Sequence, residues 1–506
     1  MIKIHNLLSA WFFALFITGT GMAQDSKQPL NVILITADDL GYEVVNSFGR
    51  TKLDLTPQLD AFAKEGVQFS EGHTATPICQ PSRAIMATGL YSVSNGMMGF
   101  IHRKKPVATA MEVFRDHGYL TACLGKLRHS TPPLDYKWDF SFDFADLGSG
   151  RSPKKYAEKT QAFLEKSKAE GKPFYLMINS HDPHRPFHDP NGKVLNGQED
   201  PSKLFSIDEV EVPKYLAPTN QVKLELSFYY NSVRRFDDTF GAVMKVIKES
   251  GFYDNSIIIV LSDNGSAFPF AKANTYVAST KTLFYVHYPG HMKVGLVDNE
   301  HLISEVDIFP TFLEATGVRI DQQLDGTSFL PLLLEKPQKR NGYIIGQIDY
   351  KAGGSATPMR SYGDKKFRYI FNPWSPTGDA YRNNNEGKIN RDIEENHPEY
   401  LRYVEFFRHR SLEEFYDVQN DPDATINLIN DPNYKKEIKK YRRGLKNWMQ
   451  LKNDPVLFLF EQRNSPEKLK AYLADEMIYP SKKSLMPKEQ REAQELKDAR
   501  KKANKK

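Results

Sequence analysis

Cysteine is almost missing from this chain: 2 residues among 506. That excludes a small fold held together by disulfides. A surplus of one charge is missing too. Lys+Arg 68 against Asp+Glu 63 leave a net +5. Most of that surplus lies between Ala471 and Lys506, where ten basic residues face six acidic ones. The body is close to neutral, which argues against a nucleic-acid partner, because such proteins carry their basic excess on a folded face. Beyond the first residues no apolar run approaches the ~18–20 positions of a membrane span. No internal repeat is visible. What is present is 40% hydrophobic and 12% aromatic residues, enough to exclude disorder and to fill one large or two medium domains.

The chain opens like an export signal. Lys3 is followed by an apolar stretch from Leu7 to Thr18, then by Gly21-Met22-Ala23 with small residues where a signal peptidase reads. We expect residues 1–23 to be a signal peptide. No Cys lies near that point to take a lipid anchor, so a periplasmic or secreted protein without a membrane span is expected.

Four short apolar runs carry the fold expectation: Asn31–Ala37, Leu120–Leu124, Phe174–Asn179 and Ser256–Leu261. Their hydrophobicity is continuous, which suits strands buried on both faces of a parallel or mixed α/β sheet. Helical patterns lie between them, one opened by Thr56-Pro57 and closed at Gly66. After about Gly346 the texture turns to shorter, more polar strand-like pieces and a helix from Tyr434 to Trp448. The expected organisation is a catalytic domain over 24–345, a smaller α+β domain over 346–464, and a helical, basic tail over 465–506.

Each of the four runs ends in reactive groups. These are Asp38-Asp39, then Lys126 with His129, then His181-Asp182-Pro183-His184-Arg185, and Asp263-Asn264-Gly265. In α/β sheets the ligand crevice lies beyond the carboxyl ends of the strands. One Asp after a strand is usually a turn or a cap; four endings of this kind read as a site. Asp38, Asp39, Asp263 and Asn264 offer hard oxygen ligands suited to Ca2+ or Mg2+. The alternative is that these acids pair with Lys or Arg at the sheet edge. Cys79 precedes Pro81-Ser82-Arg83, which begins a helix stopped at Gly89. A thiol at a helix N-terminus has a lowered pKa, and Arg83 lies one turn on. The alternatives are a small buried thiol or a disulfide to Cys123.

Cys79-x-Pro81-Ser82-Arg83, with Ala84 and Thr88-Gly89-Leu90, resembles the signature of the type I sulfatases of the alkaline-phosphatase-like superfamily. The likeness extends to Gly125-Lys126, His181-Asp182-Pro183, Asp263-Asn264-Gly265 and Glu414-Phe415-Tyr416-Asp417. It implies a large mixed, mostly parallel sheet sandwiched by helices. It implies that Cys79 is converted to formylglycine by a formylglycine-generating enzyme, and that one Ca2+ is held by Asp38, Asp39, Asp263, Asn264 and residue 79. Hydrated formylglycine would attack sulfur, with Arg83, Lys126 and Lys272 stabilising the sulfuryl group. His181 would protonate the leaving atom and His129 would serve the diol. His184, Arg185 and Arg360, with His102, Arg103 and Tyr350, are the expected substrate contacts; the alternative for His184 and Arg185 is a structural pair under the strand.

Asn95-Gly96-Met97, Phe268-Pro269 and Pro358-Met359-Arg360 are similar to the sulfamidase (heparan N-sulfatase) branch. Three departures stand out. His129 falls three residues after Lys126 where the family has two, Lys272 stands where sulfamidases carry Arg, and Asp349–Gly353 is unlike their glycan loop. The expected substrate is therefore a sulfated polysaccharide, with an O-sulfated algal glycan such as ulvan ahead of an N-sulfated glucosamine. A phosphodiesterase of the same fold would use Ser or Thr at position 79, and an unmodified Cys79 would suit a glycan-binding relative.

Overall fold

The computed structural model describes residues 29–503 except 291, 353–355 and 478. The expected signal peptide lies outside the described residues, as does Gly353. Twelve strands are described: β1 (Asn31–Asp38), β2 (Val67–His73), β3 (Leu120–Leu124), β4 (Phe140–Phe142), β5 (Phe174–Pro183), β6 (Ser256–Ser262), β7 (Phe284–His287), β8 (Leu296–Ser304), β9 (Ile344–Tyr350), β10 (Ala356–Gly363), β11 (Phe367–Phe371) and β12 (Glu413–Asp417). Eight form one sheet in the order β4-β3-β5-β1-β6-β7-β2-β8. Neighbours from β4 to β6 are parallel, β7 is reversed, and β8 is parallel to β2.

The four apolar runs are β1, β3, β5 and β6, and they lie side by side at the centre of this sheet. Every residue of these strands is buried, because helices cover both faces. Alternate side chains feed two cores: Ile33, Ile35, Leu176 and Ile258 on one side, Val32, Leu34, Met177 and Ile257 on the other. β5 runs further than its apolar stretch. It pairs through a bulge as far as Asp38 opposite Pro183, so His181 and Asp182 are strand residues.

Helix α1 (Pro57–Glu65) starts at Pro57 and stops before Gly66, but the Thr56 side chain does not cap it. The Asp237 carboxylate, from the helix Asn220–Glu249, accepts hydrogen bonds from the Gln58 and Leu59 amides, both at 2.9 Å. A tertiary acid thus satisfies the orphan donors of a helix start.

A second, antiparallel sheet has the order β12-β11-β10-β9. The helix Lys435–Leu451 covers it through Ile438, Tyr441, Leu445 and Trp448. Their core also holds Ile85, Tyr91 and Ile101 from the larger part of the chain. The last helices, Pro466–Ala474 and Lys488–Ala503, belong to this end. Among the described residues no helix is long and apolar enough to cross a membrane.

Candidate active site

The carboxyl ends of β1, β3, β5 and β6 meet the N-terminus of α2 (Cys79–Thr88). Cys79 is the first helical residue and 2% exposed. Its Sγ donates to Asp38 Oδ1 at 3.3 Å. Both cysteines are free and buried, so the disulfide alternative is overturned. The expected lowering of the Cys79 pKa is overturned as well: burial pushes the thiol up to about 12. Desolvation of a charged thiolate outweighs the helix terminus and the nearby Lys272.

Three acids converge here, and each is paired with one lysine or arginine, while the neutral His184 Nε2 lies 3.9 Å from Asp39 Oδ2. Lys126 Nζ contacts Asp38 Oδ2, Lys272 Nζ reaches Asp39 Oδ1 at 2.5 Å, and Arg83 donates twice to Asp263 Oδ2 at 3.0 and 2.8 Å. The sheet-edge pairing alternative therefore describes half of the site. It leaves oxygens over. Asp39 Oδ2 and Asn264 Oδ1 are buried and make no hydrogen bond. One ligand atom from each of Asp38, Asp39 and Asp263 lies within 4.8 Å of the others. A buried set of hard, under-satisfied oxygens fits a divalent cation of the Ca2+ or Mg2+ kind.

The backbone is bent to build this cluster. Asp39 and Lys126 both have left-handed backbones, with φ of 72° and 49°, a conformation costing non-glycine residues about 1–3 kcal/mol and found mostly at functional sites. Gly125 must precede Lys126, since a Cβ there would stand 2.1 Å from the Asn179 carbonyl. Asn179 was not singled out by sequence. Its Oδ1 accepts from Thr36 Oγ1 at 2.8 Å and Arg83 Nη1 at 2.6 Å, which locks β1, β5 and α2 together.

Glu305 is a second residue that sequence missed. Its Oε1 accepts the Ala75 and Thr76 amides at 2.8 and 3.2 Å, and its Oε2 contacts Ser82 Oγ at 2.6 Å, fixing the approach to Cys79. Burial raises this carboxyl from 4.5 to about 8. Between those values the unfolded chain is ionised while the folded one keeps its proton, so stability falls as pH rises through that window. Glu305→Gln keeps an acceptor for the Ala75 and Thr76 amides and turns an amide N–H toward Ser82 Oγ, which then accepts where it now donates. We expect it to melt higher than the parent at pH 8 and about equally at pH 4.5; calorimetry showing the parental pH slope in the variant would sink this account.

The histidines differ in place. His129 and His184 line a cleft of about 740 Å3 together with Asp39, Cys79, Arg185 and Lys272. His181 is 8% exposed and packs on Phe144 with ring centroids 5.3 Å apart. Gly150 accommodates it, because a Cβ there would fall 2.0 Å from the imidazole. Burial, then nearby Lys and Arg charges, hold all three histidines well below 6.5, and so neutral at pH 7. Asp182 is bound bidentately by Arg235 at 2.7 and 2.9 Å and anchors the segment that presents His181 and His184.

Several expected substrate contacts are corrected. Arg360 is fully buried and paired with Asp454 and Asp349 at 2.6 and 2.8 Å; it is a core ion pair that no substrate reaches. Tyr350 is buried with its hydroxyl on the Pro480 carbonyl. His102 is buried with Nδ1 3.2 Å from the Thr131 carbonyl, and Arg103 pairs with Glu112. Arg185 does line the cleft, but its guanidinium is held by Glu225 at 2.5 Å and stacked on Phe187. Arg83, fully buried, contacts Asp263 and positions it.

A mostly parallel α/β sheet whose strand ends gather acids, lysines and a helix-terminal cysteine gives a cleft suited to an anionic group. The comparisons with known proteins sharpen this. Residues 30–318 match the sulfatase family model, and residues 266–373 match the model for the C-terminal part of N-sulphoglucosamine sulphohydrolase. The chain belongs to the sulfatase family. It is 30% identical to an ulvan-active sulfatase of Formosa agariphila over 85% of this chain and 81% of that one. It is 26% identical to human N-sulphoglucosamine sulphohydrolase, covering 87% and 94% respectively. A solved Bacteroides thetaiotaomicron structure, from work on the metabolism of multiple glycosaminoglycans, shares the fold with a TM-score of 0.65 at 18% identity, over 86% of this chain and 99% of that one.

Proposed function

We propose that this sulfatase removes sulfate groups from a sulfated polysaccharide or its oligosaccharides, O-sulfated glycans of the ulvan type ahead of N-sulfated ones, in the periplasm or outside the cell. The observation that carries the reading is that Asp39, Cys79 and Lys272 line one cleft, with Asp38, Asp263, Asn264 and Lys126 buried against them. In this reading Cys79 is converted to formylglycine, which replaces a thiol that burial keeps protonated. A Ca2+ held by Asp38, Asp39, Asp263, Asn264 and residue 79 supplies Lewis-acid polarisation and a template when bound.

The chain's own residues do the rest. Lys126 and Lys272 bring ammonium groups to the floor, where they offset the charge of the sulfuryl group. Arg83 keeps Asp263 in place. His181, held neutral by burial and the neighbouring cations, would gain basicity from an anion bound nearby and could then carry the proton that the leaving oxygen takes. His129 and His184 face the same cleft and can hold or move a second proton.

The test is sulfate release from matched O-sulfated ulvan, O-sulfated glycosaminoglycan and N-sulfated glucosamine oligosaccharides. We expect turnover of the O-sulfated sugars, with kcat/KM at least about tenfold above that for the N-sulfated one. Release from the N-sulfated sugar alone would establish the second reading, a sulfamidase, which the match of residues 266–373 favours.

A further inference from the structure

The cleft has a floor and a wall of different electrical character. On the floor each acid is matched by one base, as Asp38 with Lys126, Asp39 with Lys272 and Asp263 with Arg83. Arg185 at the side is matched by Glu225. The wall adds Lys351, Arg382 and Lys497 to the same cavity. Among the described residues none of these three makes an ion pair with a carboxylate. Lys351 Nζ donates to the Arg382 carbonyl at 2.6 Å and rests 4.2 Å from the centre of the Tyr381 ring. Both Arg382 and Lys497 are exposed.

Lys497 comes from the last helix, Lys488–Ala503, within the basic tail expected over 465–506. The structure fastens that helix beside the cleft. Gln490 Oε1 accepts from the His102 amide at 2.9 Å and its Nε2 donates to the Phe100 carbonyl at 2.7 Å. Phe100 itself lines the cleft and packs against His129. From the short helix Lys482–Leu485 that precedes it, Lys482 Nζ donates to the Ala352 carbonyl at 2.8 Å and the Lys351 carbonyl at 3.3 Å. The tail thus holds the Lys351 loop at one end and presents Lys497 at the other.

A single sulfate group on the floor is served by Lys126 and Lys272 and has no use for three further cations. The cavity, at about 740 Å3, has room for more than the reacting group, since pockets of roughly 300–1,000 Å3 enclose whole ligands. Asn383, Asn384 and Asn385 also line it, and amides both donate to and accept from sugar hydroxyls.

We propose that Lys351, Arg382 and Lys497 form a second anion subsite, which recognises another sulfate or carboxylate group on the oligosaccharide whose sulfate sits on the floor. The preferred substrate is then polyanionic. This rests on the sulfatase reading above and adds to it the charge pattern of the sugar.

The experiment compares the parent, Lys497→Ala, Arg382→Ala and their double variant, with Lys488→Ala on the outer part of the same helix as control. The probes are 4-nitrophenyl sulfate, a disulfated disaccharide, a monosulfated uronate-containing disaccharide, and its carboxyl-reduced counterpart. We expect each single change to lower kcat/KM on the doubly charged sugars by about tenfold, mostly through KM. The ratio of those values to that for the aryl sulfate should fall accordingly, and Lys488→Ala should behave as the parent. A larger loss on the disulfated sugar assigns the subsite to sulfate; a larger loss on the uronate sugar assigns it to carboxylate.

Equal losses on the carboxyl-reduced sugar, or none on the charged ones, would overturn the subsite. Calorimetric binding of the same sugars to the Cys79→Ala chain, with and without the wall substitutions, decides independently of turnover. Binding that depends on Arg382 and Lys497, together with a parent protein that releases no sulfate from any probe, keeps the subsite and removes the sulfatase reading. Binding indifferent to both residues removes the subsite.

Discussion

Cys79→Ala is expected to reduce sulfate release by at least about a thousandfold while leaving the protein folded. The physical case begins with what the unmodified residue can do. Its thiol is 2% exposed and pushed up to about 12, so almost none of it is thiolate at pH 7. A plain cysteine at this position is therefore a poor nucleophile despite its helix-terminal seat. An oxygen nucleophile made from it is not bound by that limit. The chain made in a host with a formylglycine-generating enzyme should show the aldehyde in the peptide containing residue 79 by mass spectrometry, and activity should scale with the converted fraction. Substitution by Ala removes only the sulfur and its contact with Asp38, so the melting temperature should move by a few degrees at most. Retention of more than a few per cent of activity by the alanine variant would sink the assignment of residue 79.

The second large effect concerns the cation. Exhaustive chelation is expected to lower activity by at least about a hundredfold, with recovery on adding Ca2+ and a Ca2+-dependent rise in melting temperature. Asp39→Asn should lose both responses. Asp39 offers the cluster an oxygen without a hydrogen bond, and Asn264 offers another; an amide at position 39 halves the hard donors there and removes the charge that Lys272 now balances. A melting temperature that ignores Ca2+ in the parent protein, measured alongside activity, would show that the acids serve only their basic partners.

How much of this could be read in advance depends on what each feature rests on. β1, β3, β5 and β6 were legible because burial on both faces leaves a continuous apolar run, and their reactive endings follow directly. β2 and β8 were not, since both carry polar positions among the apolar ones. The pKa of Cys79 was misread because a helix start is local while desolvation depends on everything packed around it. Arg360 was misread for a similar reason. Its partner Asp454 lies 94 positions away, and nothing in Pro358-Met359-Arg360 tells a buried pair from a substrate contact. Glu305 and the wall residues Arg382 and Lys497 were invisible in the same sense. They reach the site only through the tertiary arrangement, and no local pattern marks them.

The one-to-one matching of acids and bases on the floor bears on the order in which the protein is assembled. In small zinc domains the free energy of metal binding is the free energy of folding, and the metal-free chain is unstructured. Here Asp38, Asp39 and Asp263 already have partners of opposite sign within the fold, so the strand ends can close without mutual repulsion. Under the function proposed above, capture of the ion would then be a late step, performed by a scaffold whose strand ends have already closed.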